Sequence, residues 1–204
     1  RPEVVRGESL PPDVIHVTRS GGLGDILFLA AAAVAGDLTI AIHTLPRWHE
    51  ICSWTDGLVV ARGRAENVRH GDGVIERHAR ARDWNRVRLW CNWLGTDYPR
   101  ADLRVGVPDT HRQWARQMLV AYDNPTMVAV VPRSWATSRS LSDQALTDLC
   151  AAVEAQGYTP LVVGEQNVEA DGYASLAGRL TLEATVSLLA EVRMVISVDT
   201  GLAW

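Results

Sequence analysis

The chain has 204 residues, 47% of them hydrophobic, and a formal net charge of −4, which leaves room for one good core or two small ones and argues against a dedicated nucleic-acid binder. Its three cysteines, Cys52, Cys91 and Cys150, have no metal-site spacing and an odd count, so a reduced, cytoplasmic setting is expected rather than a disulfide scaffold. The longest apolar run, residues 26–35, is too short to span a bilayer, and no signal peptide is visible.

Residues 1–12 carry Pro2, Gly7, Pro11 and Pro12 without periodicity and read as a loose leader. Residues 14–18 alternate and are β-branched, the pattern of a strand. Gly21-Gly22-Leu23-Gly24 then reads as a turn, and Asp25 opens a helix to about residue 34. A strand at 38–43, a helix near 48–54 and a strand at 58–60 follow. That β-α-β-α-β alternation implies a parallel sheet.

The middle of the chain is rich in Arg and Trp. Residues 77–94 read as a helix, with Trp84, Trp90 and Trp93 as core anchors rather than as bases' stacking partners. Residues 111–121 fit an amphipathic helix with Trp114, Met118 and Leu119 on one side. Asp123-Asn124-Pro125 is a turn signal, and the domain boundary is expected there, dividing the chain into 1–124 and 125–204.

The second half is more regular. Val128-Ala129-Val130-Val131-Pro132-Arg133-Ser134 reads as a strand, Ser142 as an N-cap, and Leu146, Leu149 and Val153 share one helical face. Gly157 is placed to end that helix. Residues 159–163 form the next strand, leading to Gly164-Glu165-Gln166. Residues 173–178 fit either a helix end or a short strand. A capped helix at 181–190 precedes the strand Met194-Val195-Ile196-Ser197-Val198, which stops on Asp199-Thr200-Gly201. In a parallel α/β sheet the carboxyl ends of strands are where ligands bind, and small residues there admit phosphate to backbone N–H groups.

All 20 basic residues are Arg; residues 1–124 hold 16 of them against 15 acids, and residues 125–204 hold 4 against 9. Phosphate contacts therefore fall to guanidinium groups, which bind bidentately. On spacing alone, Gly21 to Asp25 is a glycine turn whose carboxylate complements a helix dipole. It lacks the third glycine of a dinucleotide fingerprint. His16, His43, His49, His70, His78 and His111 show no ligand spacing, and no metal is expected.

Taken in order, the strand at 14–18 with Gly24-Asp25, the strand ending at Ser134 with Arg139 five residues on, Gly164-Glu165, and Asp199-Thr200-Gly201 resemble glycosyltransferase family 9, the ADP-heptose:lipopolysaccharide heptosyltransferases of the GT-B fold. The resemblance runs from about Val14 to Trp204 and is best at both ends. It implies an α/β architecture of two Rossmann-like parallel-sheet domains facing across a cleft, an acceptor-side domain at 1–124 and a nucleotide-sugar-binding domain, cut short, at 125–204. It implies inverting transfer of a heptose-like sugar from a nucleotide-diphosphate donor to a glycan hydroxyl.

By the same resemblance Asp25 is the general base, with Gly22 and Gly24 in the loop near the acceptor. Ser134 and Arg139, the latter in place of a Lys, bind the donor diphosphate. Glu165, or next to it Glu169, holds the ribose, and Asp199, Thr200 and Gly201 complete the donor site. Two departures stand out. Trp204 occupies the place of a His in the family's Asp-Thr/Ser-Gly-x-x-His signature, and a Trp neither titrates nor accepts a hydrogen bond. Leu141-Ser142 replaces an aromatic-Pro pair. The resemblance further implies no cofactor or metal, an anionic lipopolysaccharide-core-like acceptor, no nucleic acid, at most peripheral membrane contact, a cytoplasmic location and a monomer. The competing expectation is a non-catalytic nucleotide-sugar-binding module, favoured by Trp204 and by the early end of what looks like a fragment.

Overall fold

Two four-stranded sheets, both wholly parallel, organise the chain. The computed structural model describes residues 14–62, 67–74, 86–97, 104–122, 126–198, 200 and 202. The leader, Trp84, Leu103, the Asp123-Asn124-Pro125 turn, Asp199, Gly201 and Trp204 lie outside the described residues. The chain divides into two compact units, Arg1–Gly106 and Val107–Trp204. The architecture is α/β with two Rossmann-like sheets, as the sequence implied.

In the first unit, β1 (Ile15–Thr18), β2 (Ile40–His43), β3 (Leu58–Val60) and β4 (Arg69–His70) stand in the order β3-β2-β1-β4. Helix α1 (Leu23–Ala35) joins β1 to β2, and α2 (His49–Ser53) joins β2 to β3. Helix α3 (Arg86–Leu94) packs against α1, whose run Ala30-Ala31-Ala32-Ala33 offers a low surface that another helix can approach closely. Val17, Ile26, Leu29, Ile40, Ile42 and Trp90 are fully buried. Trp90 is therefore the core anchor expected of it. Trp93 is half-buried and meets Trp90 edge-on, with ring centroids 5.4 Å apart, the T-shaped geometry aromatic quadrupoles prefer.

In the second unit, β5 (Met127–Val131), β6 (Thr159–Val162), β7 (Ala174–Ser175) and β8 (Met194–Ser197) stand in the order β7-β6-β5-β8. Met127, Ala129 and Val131 pack on one side with Leu161 and Leu188, and Val130 packs on the other with Leu146, Cys150 and Val162. Burial on both faces is why β5 reads as a continuous apolar run rather than an alternating one. Helix α5 (Asp143–Ala155) begins where Ser142 accepts a hydrogen bond from the Ala145 N–H at 3.2 Å. It stops before Gly157, whose φ of +80° suits a residue without Cβ. Helix α6 (Leu182–Leu189) is capped in the same way by Thr181. The 173–178 segment resolves as a short strand, β7, paired with β6.

The division falls between Gly106 and Val107 rather than after residue 124. Helix α4 (Asp109–Val120) packs on α6, and its Arg112 and Arg116 both bind Glu191, at 2.5 and 2.7 Å. The hydrogen bond from Arg116 first, with that from Arg112, holds the Glu191 carboxyl below the usual carboxylate range against the opposing effect of burial. The helix thus belongs with the second sheet. A single antiparallel bridge joins Thr55 to Val105. Among the described residues, no helix is long and apolar enough to cross a membrane.

Candidate functional site

In the first unit the chemistry gathers where β1 ends. Gly22 is the N-cap of α1, and Gly24 and Asp25 lie in its first turn. Both Asp25 oxygens are engaged. Oδ2 accepts from Arg19 Nη2 at 2.6 Å and Oδ1 from Arg86 Nη1 at 3.2 Å. The Arg19 side chain is 1% exposed, that of Asp25 17% and that of Arg86 48%.

A buried guanidinium is costly unless paired and hydrogen-bonded, and both terminal nitrogens of Arg19 find partners. Its Nη1 donates to the Gly71 carbonyl at 3.4 Å and lies 3.7 Å from Asp72 Oδ1, and its Cζ stands 5.9 Å from the Trp90 ring centroid. Asp72 Oδ1 also accepts from the Ser20 N–H and hydroxyl, at 2.9 and 3.0 Å. The loop after β1 is thereby tied to the end of β4. Gly21 passes so close that a Cβ there would sit 2.5 Å from Arg19 Nη2, whereas a Cβ on Gly22 would meet nothing within 4 Å. The glycine this loop requires is Gly21.

Beside this cluster, His16 Nδ1 and His43 Nε2 are 3.1 Å apart, and Thr18 Oγ1 is 3.2 Å from His70 Nδ1. Burial, and then the neighbouring His16, push the His43 imidazole below its usual value. Among the described residues no three His, Cys, Asp or Glu side chains converge as a metal would need.

In the second unit, β6 and β8 flank β5, so the loops leaving all three strands lie at one sheet edge. The loop after β5 is folded on itself. The Ser134 N–H donates to Ser140 Oγ at 3.0 Å, the Leu141 N–H to the Pro132 carbonyl at 2.9 Å, and Arg133 bonds the Leu141 carbonyl and Asp143. Ser134 is 6% exposed. Gln166 Nε2 donates to the Ser134 carbonyl at 3.2 Å, which joins the loops after β5 and β6. Arg139 ends a 3-10 turn, Thr137–Arg139, and is exposed, as is Glu165. Glu169 instead pairs with Arg179 at 2.7 Å. Thr200 is half-buried just past β8; its neighbours Asp199 and Gly201 are outside the described residues.

The structure thus brings Ser134 and Gln166 into contact, with Glu165 on the same loop as Gln166 and Thr200 just past β8. Sequence reasoning missed Arg19, Asp72 and Arg86, and gave Gly21 and Gln166 no role of their own within the loops it singled out. Arginine is seldom fully buried, and the partners of Asp25 come from β1's end and from a helix 61 residues away, a pairing no local pattern reveals.

No protein-family model and no curated protein sequence matches the chain. Its fold is similar to that of several solved structures. One is a glycosyl transferase family 9 protein from Veillonella parvula, with a TM-score of 0.68 and 12% identity, covering 94% of this chain and 76% of that one. A second is the E. coli heptosyltransferase WaaC with ADP, with a TM-score of 0.64 and 13% identity, covering 93% and 82%. A third is TibC of enterotoxigenic E. coli, an iron-containing dodecameric glycosyltransferase, with a TM-score of 0.65 and 14% identity, covering 94% and 55%. At such identities the likeness establishes the shared fold.

Proposed function

We propose that this chain is a family 9-type glycosyltransferase that moves a heptose-like sugar, with inversion, from a nucleotide-diphosphate donor to a glycan hydroxyl. The observation that carries the reading is Asp25, a carboxylate at the carboxyl end of β1 held in one place by two guanidinium groups, in a fold that solved glycosyltransferases share. In this reading Asp25 receives the acceptor proton as attack builds charge on the oxygen, and Gly22 and Gly24 adjoin the acceptor. The acceptor side is assigned to the unit that carries Asp25 and the donor side to the unit that carries Ser134 and Arg139.

Ser134, Arg139, Thr200 and Gly201 neutralise the leaving diphosphate through preorganised donors, the kind of stabilisation that usually contributes most. Glu165 and Asp199 orient the nucleotide and sugar. With guanidinium and loop groups in that role the reaction is assigned no resident metal or cofactor, and chelator is expected to leave turnover unchanged. ADP-heptose is the proposed donor; that WaaC was solved with ADP supports the choice of base. An anionic, lipopolysaccharide-core-like glycan suits the Arg-rich first 124 residues. The protein is proposed to act in the cytoplasm as a monomer.

Calorimetry with ADP, UDP and GDP, followed by transfer assays of wild type and Asp25→Asn, tests the reading. Preference for ADP and loss of transfer in Asp25→Asn are expected; unchanged transfer in that variant removes the base assignment. Trp204, which stands where the family has His, favours a second reading, a non-catalytic nucleotide-sugar-binding module. ADP binding without any turnover selects it.

A further inference from the structure

We infer that Arg86 is a displaceable cap on Asp25, and that an oxyanion group carried by the acceptor, phosphate or carboxylate, lifts it. The inference rests on the reading of Asp25 as the base. A general base must offer an oxygen lone pair within hydrogen-bond reach of the proton it takes. Here Arg19 donates to Oδ2 at 2.6 Å and Arg86 to Oδ1 at 3.2 Å, each taking one of the two lone pairs of its oxygen.

The two contacts differ in freedom to move. Arg19 is buried, stacked near Trp90, bonded to the Gly71 carbonyl and walled in by the backbone of Gly21. Arg86 is half exposed at the first residue of α3, its guanidinium 5.7 Å from the Phe28 ring centroid. A half-exposed ion pair is weak and exchanges partners readily. Oδ1 is therefore the oxygen that can be opened, and the competitor for Arg86 is an anion arriving from solvent. A guanidinium fork binds a phosphate or carboxylate bidentately, which a single 3.2 Å contact to Oδ1 does not match.

With Arg86 turned onto the acceptor's oxyanion, the adjacent hydroxyl donates to Oδ1. Its oxygen forms the new bond to the anomeric carbon while the bond from that carbon to the diphosphate breaks. The bonding pair leaves on the diphosphate, and the hydroxyl proton ends on Oδ1. A neutral acceptor offers Arg86 no such partner, so Arg86 selects anionic acceptors by holding them beside the base.

Competition for one guanidinium is reciprocal, so it is read by binding alone. Inorganic phosphate is titrated into wild type, Asp25→Asn, Arg86→Gln and the double variant, following amide and arginine Nε–H signals by NMR. Asp25→Asn is expected to bind phosphate at least fivefold more tightly than wild type. Arg86→Gln and the double variant are expected to bind no more tightly than wild type. Equal affinity in Asp25→Asn and wild type overturns the inference, as does tight binding that survives in the double variant, which assigns the anion to Arg19. Should Asp25→Asn fail to fold, the wild-type Arg86 Nε–H signal decides: it must shift with phosphate, and a silent signal overturns the inference. No turnover is needed, so a failed base assignment and a failed cap remain distinguishable.

Discussion

The two units build polar sites at the carboxyl ends of parallel strands by opposite means. In the second, the loop after β5 closes mainly through its own backbone and hydroxyls, with Gln166 joining from the next loop. In the first, the site is organised around one buried charge, Arg19, shared among Asp25, Asp72 and the Gly71 carbonyl. A self-closed loop tolerates the loss of any one contact. A buried ion leaves its partners stranded when removed.

The largest effect that sharpens this contrast is expected from Arg19→Ala. Breaking a buried pair by deleting one partner costs about 3–5 kcal/mol, and the cost should appear in the first unit. Hydrogen exchange checks it: amide protection in β1 and β4 falls while that in β5 and β6 holds. Gly21→Ala comes next. Its Cβ would meet the Arg19 guanidinium at 2.5 Å, and overpacking of this kind costs about 1–3 kcal/mol. Gly22→Ala, with nothing near its Cβ, is expected within about 0.5 kcal/mol of wild type. Urea unfolding of the pair reads the difference, and equal losses would break the account of the turn.

Ser142→Ala, which removes the cap on α5, is expected to cost about 1 kcal/mol and to lower protection only in the second unit. The smallest effect is a pH dependence at His43. Its folded-state value is lowered by burial and by His16, so below the unfolded value, about 6.5, the unfolded chain binds more protons. The His43 contribution to stability is present above that pH and is lost progressively as pH falls toward the folded value. His43→Gln should flatten the stability profile in that window; an unchanged slope would place the dependence elsewhere.

Legibility followed the range of the interactions. The caps at Ser142 and Thr181, the stop at Gly157 and the apolar run of β5 are local patterns and were readable in the sequence. The unit boundary was not, because the Asp123-Asn124-Pro125 turn is a local signal, while the ion pairs of Arg112 and Arg116 with Glu191 bind α4 across more than seventy residues of sequence. Within the candidate site, only some residues carry a local signal. Asp25 stood out by its place after a glycine turn, and Ser134 by its place after a strand. Arg19 and Arg86 did not, since nothing in a charged residue's immediate sequence says that it will be buried or which carboxylate it will find.

The central claim is that the loops at the β5, β6 and β8 ends hold a nucleotide diphosphate. An NMR titration with ADP tests it most directly. The account predicts saturable shifts of the Ser134, Gln166 and Thr200 amides, abolished or weakened at least tenfold in Arg139→Ala. No binding of ADP, or shifts that leave those three amides unmoved, would contradict it.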